Sequence, residues 1–151
     1  MDVSAKVDYA IRALLGIASH APELTTVEML VEEQRLPRKF VESILGELRR
    51  SGFVRSQRGV HGGFTLARPA DQITLGSVFR AVDGPLAEVR GLRPNETEYT
   101  GAARHLPDVW VAVRASLRLV LDEVTVSQVL SGRLPAHVRR MIKSADAWAP
   151  R

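Results

Sequence analysis

Apolar residues recur at three- and four-residue intervals from the start of the chain. Val7, Ala10, Ile11, Leu14, Leu15 and Ala18 fall on one face of a helix predicted over Val3 to Ala18. His20, Ala21 and Pro22 end it, because proline cannot extend a helix. The run "LTTVEML" then offers a capping box, with Thr25 as the cap and Glu28 reaching back, ahead of a short helix from about Thr26 to Glu33. After the turn "QRLP", Pro37 suits the first position of a third helix, Pro37 to Arg50. Its apolar positions are Phe40, Val41, Ile44, Leu45 and Leu48, and Gly52 stands where a left-handed helix stop is expected.

The period then changes. Phe53 to Ser56 and Phe64 to Ala67 read as short strands either side of a glycine-rich turn. A helix over Leu75 to Val82 closes at Gly84, and residues 85–105 are polar, aperiodic and read as loop. The longest periodic segment follows, with Leu106, Val109, Trp110, Val113, Leu117, Val120, Leu121 and Val124 at threes and fours behind Pro107 and Asp108. The N-terminal unit accounts for its own core in this reading, which favours pairing of the long stripe with a second copy over packing back. A short helix at Val126 to Leu130 and a basic tail helix at Pro135 to Trp148 complete the pattern, without internal repeats.

Composition narrows the function. The 151 residues include no cysteine, so disulfides, thiolate metal sites, cysteine-ligated iron–sulfur clusters and thiol catalysis are excluded. No apolar run approaches the roughly 18 residues of a membrane span, the N-terminus does not read as a signal peptide, and a cytoplasmic protein without membrane contact is expected. No nucleophile elbow, zinc spacing or carboxylate pair stands in a context that supports an enzyme. Net charge is a modest +4 but unevenly placed. Residues 1–33 carry two basic and six acidic residues, net −4; residues 34–68 carry eight basic and two acidic residues, net +6. A basic block inside folded sequence is the usual footprint of a nucleic-acid surface, with a solvated basic face as the other reading.

Three helices and a two-strand hairpin within the first 84 residues are the layout of a winged helix-turn-helix. The fold expected is mainly α with a small β-hairpin wing, followed by a long dimerisation helix. In that layout the third helix enters the major groove, its N-terminal residues nearest the bases. These are Arg38, Lys39, Glu42 and Ser43. Arginine and lysine can pair with guanine, and glutamate accepts from the cytosine amino group. Glu42 is therefore a base reader or a helical ion-pair partner of Arg38 or Lys39. In the wing "RSQRGVHGGFTLARP", glycines allow close backbone approach and Arg58 can enter a narrow minor groove. Arg55 and Arg68 suit phosphate contacts or solvated charges. A nucleotide-binding loop fits poorly, since the lysine-serine ending and the following helix are missing. A winged-helix protein-interaction module without DNA is the alternative function.

The stretches "KVDYAIRALLGIA" and "LPRKFVESILGELRRSGFVRSQRGVHGGFTLARPADQITLGSVFRAVDGPL", with the helix after Leu106, resemble the Rrf-two family of bacterial transcription regulators, the IscR/NsrR/CymR type. The resemblance implies a homodimer that reads a palindromic operator in double-stranded DNA and mostly represses. It implies a DNA-binding domain over 1–84, a loop over 85–105 equivalent to the family's cluster loop, a dimerisation helix over 106–124 and C-terminal helices over 125–151. By the same resemblance Arg38, Lys39, Phe40, Glu42 and Ser43 begin the recognition helix. Arg58 and Gly59 form the wing tip with His61 as a wing contact, and Ser4 and Lys6 match positions that touch the DNA backbone. Leu106, Val109, Trp110, Val113, Leu117, Val120 and Leu121 would line the dimer interface. Sensor members carry three cysteines ahead of the dimer helix, but "EVRGLRPNETEYTGAARHLPDVW" has none. A site of His105, Glu96 and Asp108 would offer poor cluster ligands, so no cofactor or metal is expected. Sensing would fall to a protein partner or a small molecule near the loop and the long helix, with Trp110 as its marker or simply a packing residue.

Overall fold

Ser4 opens the first helix by accepting the Val7 N–H at 3.1 Å, one of the donors that a helix start leaves without a partner. The computed structural model describes residues 2–150. In chain order the elements are α1 (Ala5–His20), α2 (Val27–Gln34), α3 (Arg38–Arg50), β1 (Val54–Gln57), β2 (Gly63–Leu66), α4 (Leu75–Val82), α5 (Leu106–Leu121), α6 (Val126–Ser131) and α7 (Ala136–Lys143). Single helical turns at Ala70–Gln72, Pro94–Glu96, Gly101–Ala103 and Ala145–Trp148 punctuate the rest. The predicted tail helix is thus broken at Ser144, whose backbone is extended.

β1 and β2 pair antiparallel, Val54 opposite Leu66 and Gln57 opposite Gly63. The cap expected at Thr25 sits one residue later. Thr26 accepts the Met29 N–H at 3.2 Å, while Thr25 is fully buried. The Thr25 N–H and carbonyl instead exchange hydrogen bonds with Phe64, at 3.0 and 2.8 Å. A buried backbone amide must find a partner, and the edge of β2 supplies one. Gly63 permits this approach, because a Cβ there would lie 2.9 Å from the Thr25 carbonyl oxygen. The wing is thereby tied to the segment ahead of α2.

The core is the apolar face of α1 (Ala10, Ala13, Leu14, Ile17) closed by Leu30, by Val41, Ile44, Leu45 and Leu48 of α3, and by Phe53, Val54, Ile73 and Val78. Burying each large side chain of this kind contributes about 1.5–3 kcal/mol. One member comes from far along the chain. Val126 of α6 is fully buried in the same cluster, against the expectation that the N-terminal unit closes its own core. Two backbone hydrogen bonds bring it there, Leu75 N–H to Val124 O and Val126 N–H to Ile73 O, both 2.9 Å. In α5, by contrast, no residue is buried.

Candidate nucleic-acid interface

The three-residue turn between α2 and α3, Arg35 to Pro37, places one face of α3 in solvent. Arg35 takes the left-handed conformation (φ 51°) that stops α2, and Pro37 precedes α3. Val41, Ile44, Leu45 and Leu48 face the core, which leaves Arg38, Lys39, Phe40, Glu42 and Ser43 exposed. Arg38 is already engaged: its guanidinium meets Glu28 of α2 at 2.6 Å and Glu42 one helical turn on at 3.1 Å. A backbone hydrogen bond, aided by Arg38, holds the Glu28 carboxyl below its usual range. The hydrogen bond from Arg38 to Glu28 raises the guanidinium in turn. Of the two readings open for Glu42, the helical pair with Arg38 is therefore formed in the free protein. Lys39 carries no ion pair among the described residues, and Phe40, 56% exposed, meets Tyr9 of α1 edge-on at 6.0 Å.

The wing tip is equally open. Arg58, Gly59, Val60 and His61 are exposed, and Gly59 (φ 115°) makes a turn that a side chain would strain. Val60 is 98% exposed, an apolar residue held at the tip where the expected readers were Arg58 and His61. It was missed because an isolated valine in a turn carries no periodic signal. The two flanking arginines part company. Arg55 is exposed, whereas Arg68 covers the Phe53 ring at 4.6 Å and donates to the Ser51 and Gly52 carbonyls, so it braces the turn after α3. Arg49 of α3 donates to the Ser56 hydroxyl at 3.3 Å, linking the helix to the base of the wing. Ser4 is occupied as a helix cap, and Lys6 pairs with Glu47 of α3 at 2.9 Å.

The α5 stripe is divided. Leu106, Trp110, Val113, Leu117, Val120 and Leu121 are half-buried on the side facing α4 and the Pro94–Glu96 turn. Val109 is 52% exposed, and Val111, Ala112, Ala115 and Leu119 on the opposite side are exposed too. This second apolar face is visible in the sequence, since residues 111, 115 and 119 are one turn apart, but the stronger stripe masks it. His105 lies 3.9 Å from Asp108, while Glu96 accepts the Arg93 N–H at 3.2 Å. Among the described residues no three histidine, aspartate or glutamate side chains gather to hold a metal. No helix of the described residues is long and apolar enough to cross a membrane.

Comparison with known proteins agrees with this geometry. The family model described as "Rrf2: Iron-dependent Transcriptional regulator" matches residues 3–132. Rv1287 of Mycobacterium tuberculosis, provisionally named an HTH-type transcriptional regulator, is 42% identical over 142 residues, spanning 93% of this chain and 88% of that one. The HTH-type transcriptional regulator CymR of Bacillus subtilis is 30% identical over 132 residues, 87% of this chain and 91% of that one. The structure of CymR, titled the global cysteine regulator of B. subtilis, superposes with a TM-score of 0.73 at 27% identity over 87% of this chain and 97% of that one. IscR of T. potens superposes with a TM-score of 0.71 at 27% identity, over 87% and 88%. The iron in the family's description has no cysteine donor here, since the chain contains none, and among the described residues no three histidine, aspartate or glutamate side chains gather. With a family model over most of its length and its winged helix in place, the chain belongs to the Rrf2 family of transcriptional regulators and is not an enzyme.

Proposed function

We propose that the protein is a homodimeric, sequence-specific repressor that binds a palindromic operator in the cytoplasm without a cysteine-ligated cluster. The observation that carries this reading is the pair of exposed cations on consecutive elements, Lys39 on α3 and Arg58 on the wing beside His61, neither with an ion-pair partner among the described residues. Cations left without carboxylate partners are free to replace the counterions of DNA phosphates. In this reading the start of α3 lies in the major groove with Lys39, Phe40 and Ser43 at the base edges. Arg38 and Glu42 act there as one ion-paired unit that presents donor and acceptor together. The wing lays Arg58 in the adjacent minor groove with Val60 against the sugars. Lys6 exchanges Glu47 for a phosphate, next to Ser4.

Dimerisation follows from the face of α5 that its own chain leaves open. Val109, Val111, Ala112, Ala115 and Leu119 meet the same face of a second copy, with the half-buried stripe from Leu106 to Leu121 behind and beside them. Two wings on a two-fold axis then match two half-sites.

Fluorescence anisotropy with a fragment of the protein's own promoter tests the reading. Lys39→Ala and Arg58→Ala should each weaken binding about 5- to 100-fold, corresponding to about 1–3 kcal/mol per contact. Unchanged affinity in both variants would favour a winged-helix module that binds protein instead.

A further inference from the structure

Four arginines from three separate elements line one cavity. Between the end of α4, the loop that follows it and the outer part of α5 lies a half-open space of about 360 Å³, bordered by Arg80, Arg93, Arg114, Arg118 and Asn95. That size lies within the range of small-molecule sites, ~300–1,000 Å³. No acidic side chain lines it. Arg80 is balanced by Asp122 at 2.8 Å, and Arg114 donates to the neutral Asn95 amide oxygen at 2.8 Å. The guanidinium groups of Arg93 and Arg118 have no hydrogen-bond or ion-pair partner among the described residues. Three arginines thus face one space with no carboxylate to offset them. Arginine cannot shed its proton to relieve the repulsion, and its planar fork fits carboxylate and phosphate oxygens in bidentate fashion.

We infer that this cavity is an effector site for a small polyanion carrying at least two carboxylate or phosphate groups, which clamps α5 to the loop and to α4. The consequence for regulation rests on the DNA-binding reading above. α4 packs on α1 within the DNA-reading body, whereas α5 carries the open face. A ligand that grips Arg93 on the loop and Arg114 with Arg118 on α5 therefore fixes the angle between body and long helix. Through the second copy, it fixes the spacing of two wings. A bound anion changes operator affinity by changing how often that spacing is correct.

Pyrophosphate and citrate serve as probes, separating phosphate from carboxylate chemistry, with sodium chloride at matched ionic strength as control. On the full chain, at least one of them should raise Tm by about 5 °C or more at saturation. It should also shift affinity for the promoter fragment at least fivefold. The double variant R114Q/R118Q, and R93Q singly, should weaken anion binding at least tenfold in calorimetric titration while keeping the Tm of the unliganded protein. Arg58→Ala should keep the full anion response, so a failure of DNA recognition and a failure of the anion site are told apart. The proposal is overturned if chloride matches the anions, if R114Q/R118Q responds like the wild type, or if the anion binds without changing operator affinity. It is equally overturned if R114Q/R118Q loses promoter affinity without any anion present, which would make these arginines DNA-backbone contacts.

Discussion

The body that carries α3 and the long helix α5 use similar residues to opposite ends. In the body, Leu14, Ile17, Leu30, Leu45 and Leu48 are buried to within 1% of complete. In α5, leucines and valines just as apolar remain partly in water, Val109 at 52% and Leu119 at 49% exposure. Both helices of the comparison, α1 and α5, span sixteen residues, so length does not separate them. What differs is the company: α1 is enclosed by α3, α4, α6 and β2, whereas α5 packs mainly on α4 and the Pro94–Glu96 turn, with His137 of α7 against its Leu119 carbonyl at 2.8 Å. Apolar area left on one side of an otherwise packed helix is a surface for another molecule.

The comparison breaks most sharply in the body. Leu14→Ala should cost about 2–5 kcal/mol of stability through lost transfer energy and a cavity, read by urea unfolding. The same truncation at Leu119 should cost the isolated subunit almost nothing. The next effect belongs to α5: V109D with L119D should give monomers by light scattering and lower operator affinity by about 100-fold, through loss of bivalent attachment. A dimer that survives both aspartates would place the interface on the half-buried stripe, and V113D with L117D would then be the variant that dissociates it. At the seam between the two regions, Gly76 of α4 lies so close to the Asp122 carboxylate that any Cβ would collide with it. Gly76→Ala should therefore displace Asp122 from Arg80 and lower stability by about 1–3 kcal/mol, without changing the mass of the assembly. The smallest effect tests the body's own electrostatics. Glu28→Gln removes one of the two carboxylates that hold Arg38, leaving Glu42 at 3.1 Å, and one negative charge beside α3, and should steepen the salt dependence of DNA binding by no more than about one unit, the value for one phosphate contact. Acid should act in the same direction only below the ordinary carboxylate range, because the Glu28 carboxyl is held low.

The body was readable in advance because each of its helices shows one clean apolar stripe with a proline or glycine at its boundary. Val41, Ile44, Leu45 and Leu48 named the buried face of α3, and by exclusion its exposed one. Three features were hidden for distinct reasons. Thr25 and Thr26 are chemically equivalent caps, and only the partnering of a buried amide with Phe64 decides between them. Val126 joins the core through its own hydrogen bond to the Ile73 carbonyl and that of the Leu75 N–H to Val124, a long-range closure that leaves no local pattern. The arginine cavity draws on residues 80, 93, 114 and 118, which no spacing rule connects. Of the residues proposed to meet DNA, Lys39, Arg58 and His61 have no ion-pair partner among the described residues, whereas Lys6, Arg38 and Glu42 hold internal partners that only side-chain geometry reveals.

The paired hydrogen bonds joining Ile73 and Leu75 to Val124 and Val126 give the chain an unusual economy of architecture. Beyond α4, which stays packed on α1, residues 83–123 leave the body, and the chain returns beside the start of α4, like a handle fixed near its root. A handle rooted this way can be lengthened or rebuilt while the winged helix beneath it stays intact. Cutting the chain short of Val126, however, would remove a stone from the foundation. A protein of this plan can alter its proposed effector site far more readily than its winged helix.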